Sequence, residues 1–219
     1  MPIKTFTSLA ISLVTYSLTI GQQTALGQEK TPQDTYNVVN RTLSSEEGTG
    51  TIHLNEADGV GIAWIKGREF KEGAIEFDIK GKDAFQQSFV GFAFHGSNDT
   101  TYEAVYFRPF NFRSADAVRK THAVQYIAGP KYDWPKLRAG YPGKYEQPIS
   151  AAPDPNAWFH AKIVVTAQKI AVFVDGNETP CLTVAPLVQS TGRQIGYWVG
   201  NGSAGDWKNL QIRPLSQGQ

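Results

Sequence analysis

The sequence predicts an all-β protein, an antiparallel two-sheet sandwich of the jelly-roll type. Short runs of aromatic and β-branched residues alternate with polar residues at a period of two, which turns one side of each run toward a core. Gly, Asp and Asn separate these runs at close spacing, as in antiparallel sandwiches. No stretch keeps a helical period over three turns, although residues 114–120 could form a single turn.

The first half of the chain supplies six predicted strands. The alternation is clearest in Ala74–Lys80, where Ile75, Phe77 and Ile79 point one way and charged side chains point the other. The six strands are Thr51–Leu54, Gly61–Ile65, Ala74–Lys80, Phe89–His95, Tyr102–Arg108 and His122–Ala128.

The second half follows the same pattern. Trp158–Thr166 alternates, and Ile170–Val174 is expected to pair back on it before the turn dipeptide Asp175-Gly176. The remaining predicted strands are Leu182–Val184, Gln194–Val199 and Trp207–Ile212.

The Tyr102–Arg108 strand carries the candidate binding site. Its Val105 and Phe107 face is expected to be core, whereas Tyr106 and Arg108 share the opposite face. Flat rings and guanidinium groups suit the binding of sugars or carboxylates. We expect His95 and Gln125, on neighbouring strands, to lie beside Tyr106 and Arg108 on the floor of a concave face.

A long segment interrupts the strands. Residues 129–157 hold six prolines and no strand pattern, but they also contain four aromatic residues. Disordered linkers are poor in aromatic residues, so we expect an ordered loop packed against a face or rim of a sheet. Tyr132 and Trp134 of this loop are candidate stacking walls for a ligand.

The N-terminus has the pattern of a signal peptide. Lys4 is followed by an apolar stretch, and Ala25-Leu26-Gly27 matches a small-x-small cleavage signal. We therefore expect residues 1–27 to be removed, residues 28–49 to form a loose lead-in, and residues 50–219 to form the sandwich. The mature protein is expected to be exported, periplasmic or extracellular, and not an integral membrane protein.

The charge balance bears on possible partners. The chain has 21 basic and 20 acidic residues, and Lys4 is the only charged residue of the first 27, so the mature chain has 20 of each. Nucleic-acid binders usually carry a strongly basic patch, so we expect no nucleic-acid partner. The single cysteine, Cys181, is expected to be structural or incidental.

Several motifs resemble one fold family. Gly73–Lys80 resembles an early strand of concanavalin A-like lectin/glucanase domains, and Trp158–Val165 with Val172–Gly176 is similar to a hairpin of laminin G-like modules. The closing strands, residues 192–212, also resemble those modules and exported domains described as 3-keto-disaccharide hydrolase-like. The resemblance covers Thr51 to Arg213 and implies a concanavalin A-like sandwich, a fold that hosts lectins, glycosidases, lyases and adhesion modules.

The resemblance leaves catalysis open. Glycosidases of this superfamily carry a Glu-x-Asp-x-x-Glu strand, but here Glu76 and Asp78 are followed by Gly81 at the position of the second Glu. A polysaccharide lyase could use His95, Tyr106, Arg108 and Gln125, although its contiguous motifs are absent. The sequence is also compatible with a 3-keto-glycoside hydrolase or with a protein-interaction module.

The sequence contains no zinc-binding pattern. The four histidines lack the spacing of a zinc site, so no cofactor is expected. Calcium could bind at Asn98-Asp99 or at Asp206, although the same residues also stabilise turns. The sequence thus favours an exported protein that binds a polysaccharide or oligosaccharide through His95, Tyr106, Arg108, Gln125, Tyr132 and Trp134.

Overall fold

A computed structural model describes residues 1–2 and 35–215, and the signal peptide predicted for residues 1–27 lies almost wholly outside this range. The described part contains fourteen strands in two antiparallel sheets of seven strands, which confirms the predicted all-β sandwich. Sheet I has the strand order β1-β4-β13-β6-β7-β8-β9, and sheet II has the order β12-β11-β10-β5-β14-β3-β2. The bounds are β1 Tyr36–Val39, β2 Leu43–Glu46, β3 Thr51–Leu54, β4 Gly61–Ile65, β5 Gly73–Lys80, β6 Val90–Gly96, β7 Glu103–Phe107, β8 Val124–Ala128, β9 Glu146–Gln147, β10 Phe159–Val165, β11 Ile170–Val174, β12 Leu182–Val184, β13 Gln194–Val199 and β14 Gly205–Pro214.

Three short helices connect strands. They are α1 Pro109–Phe112, α2 Ala117–Lys120 and α3 Trp134–Gly140. Asp116 caps α2 by accepting hydrogen bonds from two backbone amides of its first turn, where a single turn was predicted. The longest described helix, α3, has 7 residues, and none of the described helices could cross a membrane.

Aromatic rings from the two sheets meet in the core. The Phe77 ring of sheet II stacks on the Phe92 ring of sheet I with centroids 5.1 Å apart, and Phe107 meets Phe159 at the same distance. Trp207 is fully buried, and its indole N–H donates to the Gly91 carbonyl across the sandwich. Interdigitation of alternate residues from both sheets is the usual packing of such a core.

The two sheets differ in their outer faces. In β5 and β10 of sheet II, buried and partly exposed residues alternate strictly, as predicted. In β7 and β8 of sheet I, every residue is buried. The outer face of sheet I therefore carries a second packed layer of side chains, and this layer contains the candidate site.

The sandwich begins before the predicted boundary at residue 50. Strand β1 pairs with β4, and β2 pairs with β3, so residues 36–46 belong to the sheets rather than to a loose lead-in. Each strand has only four residues, too few for a clear alternation in the sequence. The Arg41 guanidinium joins this segment to the sandwich by donating to the carbonyls of Gly59 and Gly200.

The segment 129–157 is ordered and packed. It contains α3, which begins after the capping residue Asp133, and β9, which pairs with β8 at the edge of sheet I. Leu137 and Tyr145 are buried. The sequence does not reveal this strand, because β9 has only two residues and lies in a proline-rich segment.

Candidate functional site

A row of paired residues crosses the outer face of sheet I. The register places Trp198 opposite Gly91, Gly91 opposite Tyr106, Tyr106 opposite Gln125, and Gln125 opposite Glu146. The Trp198 and Tyr106 rings pack 4.8 Å apart, and the glycine between them leaves the space that they fill. A Cβ atom on Gly91 would collide with the carbonyl oxygen of Val105, so only glycine fits here.

Arg108 organises the polar half of this row. Its Nη2 donates to the Tyr106 hydroxyl at 2.7 Å and to Gln125 Oε1 at 2.5 Å, and its Nη1 donates to the His122 carbonyl at 2.9 Å. The Tyr106 hydroxyl donates to the same Gln125 oxygen at 3.1 Å. The strand pairing of β7 with β8 fixes these contacts, and Arg108 is only 4% exposed.

Glu146 is the single carboxylate shared by the basic groups around it. It accepts a bidentate pair from Arg138 Nε and Nη2 at 2.8 and 2.7 Å. His122 Nδ1 lies 2.8 Å from Glu146 Oε2, and Arg108 Nη1 lies 3.7 Å from that oxygen. We name the set of Tyr106, Arg108, His122, Gln125, Arg138 and Glu146 the Arg108–Glu146 cluster.

Electrostatics sets the protonation states in the Arg108–Glu146 cluster. Burial raises the pKa of Tyr106 to about 12, so its hydroxyl stays protonated. Burial lowers the pKa of His122, and the guanidinium groups of Arg138 and Arg108 lower it further. Glu146 acts in the opposite direction, but the net shift is downward. The pKa of Glu146 is lowered despite its burial, because Arg138, His122 and Arg108 stabilise its charged form.

One fully buried donor in the Arg108–Glu146 cluster lacks an acceptor among the described residues. Gln125 is fully buried, and its Nε2 has no hydrogen-bond partner among the described residues. Its Oε1 accepts from both Arg108 and Tyr106, which fixes the amide orientation. Buried amide donors are nearly always satisfied, so the unpaired Gln125 Nε2 marks a position inside the cluster where a buried water molecule can accept a hydrogen bond.

Trp134 brings an exposed ring to the Arg108–Glu146 cluster. It is 48% exposed at the start of α3, and the Arg138 guanidinium lies 4.9 Å from its ring centroid. Arg138 itself has a side chain that is 36% exposed. Trp134, Arg138 and His122 are therefore the surface groups of the site, whereas Arg108, Gln125 and Glu146 lie beneath them.

The structure brings together some of the predicted site residues. Tyr106, Arg108 and Gln125 form one hydrogen-bonded group, and Trp134 reaches it through Arg138. Tyr132 instead forms a bridge with Ala128, away from the Arg108–Glu146 cluster along β8, with Lys131 over its ring.

His95 does not join the cluster. Gly91, not His95, lies opposite Tyr106, and His95 follows the last pair of β6 with β7, Phe94 and Glu103. Its φ of 53° is left-handed, which breaks the period-two alternation that the prediction assumed. His95 Nδ1 lies 2.7 Å from Glu103 Oε1, and its Nε2 lies 2.6 Å from the Lys71 carbonyl oxygen.

The prediction of an open floor also needs correction. Tyr106 is 2% exposed because the rings of Trp198 and Phe89 and the Arg108 guanidinium pack around its ring. A ring covered in this way cannot stack on a ligand without moving its neighbours. Tyr106 supports the site from below.

His122, Arg138 and Glu146 were not predicted as site residues from the sequence. Arg138 and Glu146 both come from the segment 129–157, where no strand pattern was visible. Their spacing carries no signal, because the two side chains meet only when α3 folds against β9. The sequence places His122 at the start of a predicted strand, where no pattern connects it to the site.

The acidic strand considered for a glycosidase lies on the other sheet. Glu76 and Asp78 point from the outer face of sheet II, and His160 Nδ1 lies 2.9 Å from Asp78 Oδ1. Arg213 donates to Glu76 at 3.0 Å. Basic neighbours thus engage both carboxylates. Burial alone would raise the pKa of Asp78, but its contacts with His160 lower it, so Asp78 is not favoured as a proton donor.

The candidate calcium residues make protein contacts. Asn98 Oδ1 accepts from the Thr100 and Thr101 amides, and Asp99 Oδ1 accepts from the Trp64 indole. Asp206 Oδ1 lies 2.6 Å from His53 Nδ1. Among residues 1–2 and 35–215, no group of three or more His, Cys, Asp or Glu side chains is arranged to hold a metal ion.

Comparison with known proteins identifies the fold. The structure is similar to the carbohydrate-binding module CBM66 of Bacillus subtilis, with a TM-score of 0.57 and 14% identity over 81% of this chain and 94% of that one. The chain has the concanavalin A-like lectin fold.

Two further solved structures agree. The lumenal domain of VIP36, bound to Ca²⁺ and Man3GlcNAc, aligns with a TM-score of 0.54 and 15% identity over 84% of this chain and 86% of that one. A Bacillus subtilis protein of unknown function with a galectin-like fold aligns with a TM-score of 0.53 and 10% identity over 81% and 88%. No protein-family model and no curated protein matches the chain.

Proposed function

We propose that this protein is an exported carbohydrate-binding protein, and that its sugar site is the surface formed by Trp134, Arg138 and His122 over the Arg108–Glu146 cluster. Structures of the same fold are described as a carbohydrate-binding module and as a mannose-containing glycan complex, which supports the sugar as ligand class. The proposal assigns no role to calcium.

The observation that carries the proposal is the exposed Trp134 ring fixed beside buried polar groups. Arg138 lies over this ring and is itself fixed by two hydrogen bonds to Glu146. A sugar ring presents an apolar C–H face to an aromatic ring and directs its hydroxyl groups sideways. Trp134 can receive the apolar face while Arg138 and His122 hydrogen-bond the hydroxyl groups.

The Arg108–Glu146 cluster supports binding better than catalysis. Tyr106 is 2% exposed, and burial also raises its pKa, so its hydroxyl is poorly placed to accept a proton from a ligand, which is the role that a lyase mechanism would give it. The paired acids Glu76 and Asp78 lie on the other sheet and cannot assist this site.

Binding to a panel of soluble polysaccharides and oligosaccharides, measured by isothermal titration calorimetry, tests the proposal. For a sugar that binds, we expect Trp134→Ala to weaken affinity by roughly 1–3 kcal/mol, about 5- to 150-fold, as for aromatic anchors in other interfaces. The matched control is Trp158→Ala, which removes a partly buried tryptophan from the outer face of sheet II, where Lys208 lies over its ring.

The outcomes separate the hypotheses. Loss of affinity in Trp134→Ala together with full affinity in Trp158→Ala supports the site. Equal losses of affinity in the two variants would contradict it, as would the absence of binding to every sugar in the panel. Newly formed reducing ends or unsaturated uronates in the same samples would assign an enzymatic function to the protein instead.

A further inference from the structure

The Arg108–Glu146 cluster has more positive than negative charge. Two guanidinium groups, from Arg108 and Arg138, face the single carboxylate of Glu146. The charged groups that act on Arg108 and on His122 belong to this cluster, and the only acid among them is Glu146. One positive charge is therefore unbalanced at neutral pH, and Arg108 holds its charge at only 4% exposure.

Unbalanced charge in a buried cluster is costly unless a partner compensates it. A guanidinium removed from water requires an anion and a full set of acceptors to offset its desolvation. Arg108 shares its nearest carboxylate with Arg138, whose bidentate bonds to Glu146 are shorter than the 3.7 Å approach of Arg108. The lowered pKa of Arg108, caused first by burial, agrees with this incomplete compensation.

One donor remains available at the surface of the Arg108–Glu146 cluster. Arg138 directs Nε and Nη2 to Glu146, and within the described residues its Nη1 has no acceptor. Gln125, which pairs with Glu146 across the neighbouring strand, has a buried Nε2 that is unpaired among the described residues. The Arg138 side chain is 36% exposed, so its guanidinium can donate to an anionic oxygen of a ligand, whereas Gln125 Nε2 lies beneath the surface.

From this imbalance we propose that the site selects an acidic sugar, one carrying a single anionic group that pairs with Arg138 and supplies the missing negative charge. The inference rests on the proposed sugar site and adds the ligand class to it. The sugar ring would lie on Trp134, so that its carboxylate or sulfate ester meets the Arg138 guanidinium 4.9 Å from the indole.

Matched pairs of ligands test the inference. Oligogalacturonate is compared with its methyl ester, which keeps the backbone but removes the charge, and dextran sulfate is compared with dextran. We expect an acidic member to bind at least about 10-fold more tightly than its neutral partner at 0.15 M salt, where exposed charges beyond roughly 8 Å are screened.

Two substitutions at Arg138 separate charge from geometry. Arg138→Gln should remove the preference for the acidic ligand, whereas Arg138→Lys should keep part of it because the charge remains without the bidentate fork. The control is Arg213→Gln, which removes an exposed arginine that also pairs with a carboxylate, Glu76, on sheet II. It should leave both affinities unchanged, and urea unfolding checks that each variant is folded.

The possible outcomes distinguish the acidic-sugar inference from the underlying sugar-site proposal. A preference for uronate or for sulfate that Arg138→Gln removes supports the inference and identifies the anionic group. Equal affinity for acidic and neutral sugars, with both reduced by Trp134→Ala, overturns the inference and leaves the sugar site standing. Acidic binding that Arg138→Gln and Arg213→Gln weaken equally is non-specific attraction and overturns the inference too. Failure to bind any sugar refutes the sugar site itself.

Discussion

Replacing Glu146 by alanine should strongly destabilise the protein. Glu146 is 3% exposed and is the only acid among the charged groups of the Arg108–Glu146 cluster. Its removal leaves the Arg108 guanidinium buried without an opposite charge nearby. It also removes both acceptors of the bidentate bond from Arg138.

The expected size follows from the burial of each partner. Breaking a buried ion pair by deleting one member costs about 3–5 kcal/mol, and the Arg108 contact belongs to this class. The Arg138 side chain is 36% exposed, so its contact adds at most about 1 kcal/mol. For a chain of this length, a loss of about 3–5 kcal/mol lowers the Tm by roughly 6–20 °C.

Urea unfolding followed by tryptophan fluorescence measures this loss. The control is Glu76→Ala, whose partners Lys162 and Arg213 have side chains that are 40% and 61% exposed, so it should cost no more than about 1 kcal/mol. The double variant Arg108→Met/Glu146→Ala should be more stable than Glu146→Ala alone, because it no longer buries an unpaired charge. If Glu146→Ala costs as little as Glu76→Ala, or if the double variant is less stable still, the electrostatic account of the cluster is wrong.

Two further variants test other parts of sheet I. Burial opposes protonation of His95, but its hydrogen bonds to Glu103 and to a backbone carbonyl raise its pKa above 6.5. The stability that this adds is complete below about pH 6.5 and is lost as the pH rises through the raised pKa, so His95→Gln should be more destabilising at pH 5.5 than at pH 9 in urea titrations; equal effects at both pH values would contradict the assignment. Gly91→Ala should cost about 1–3 kcal/mol or more, since its Cβ would collide with the backbone of Val105, whereas Gly140→Ala, with open space around it, should stay within about 1 kcal/mol of the parent. Thermal unfolding of the two glycine variants compares them directly, and similar Tm values would show that the β6–β7 contact is not tight.

Much of the fold could be predicted because its signals are local. Strict alternation in Ala74–Lys80 and Trp158–Thr166 placed the correct residues in the core, and Val105 and Phe107 are buried there as expected. Tyr106 and Gln125 were expected to lie on one face of neighbouring strands, and β7 and β8 pair at these two residues.

The prediction failed where local patterns stop. The left-handed backbone of His95 breaks the period-two alternation at the end of β6, and nothing in the sequence marks it. The lead-in strands are too short for a period to show. Burial of Tyr106 depends on Phe89 and Trp198, which come from distant parts of the chain.

The sequence by itself therefore determined the all-β sandwich, its core faces and the strand that carries Tyr106 and ends just before Arg108. Only the tertiary structure decided the composition of the site, by folding α3 and β9 of the segment 129–157 against β8 and so bringing Arg138 and Glu146 to Arg108. The physical reason is one of range. Period-two alternation is set by the geometry of neighbouring residues, whereas the charge balance of a buried cluster is set by groups that are far apart in the chain and adjacent only after folding.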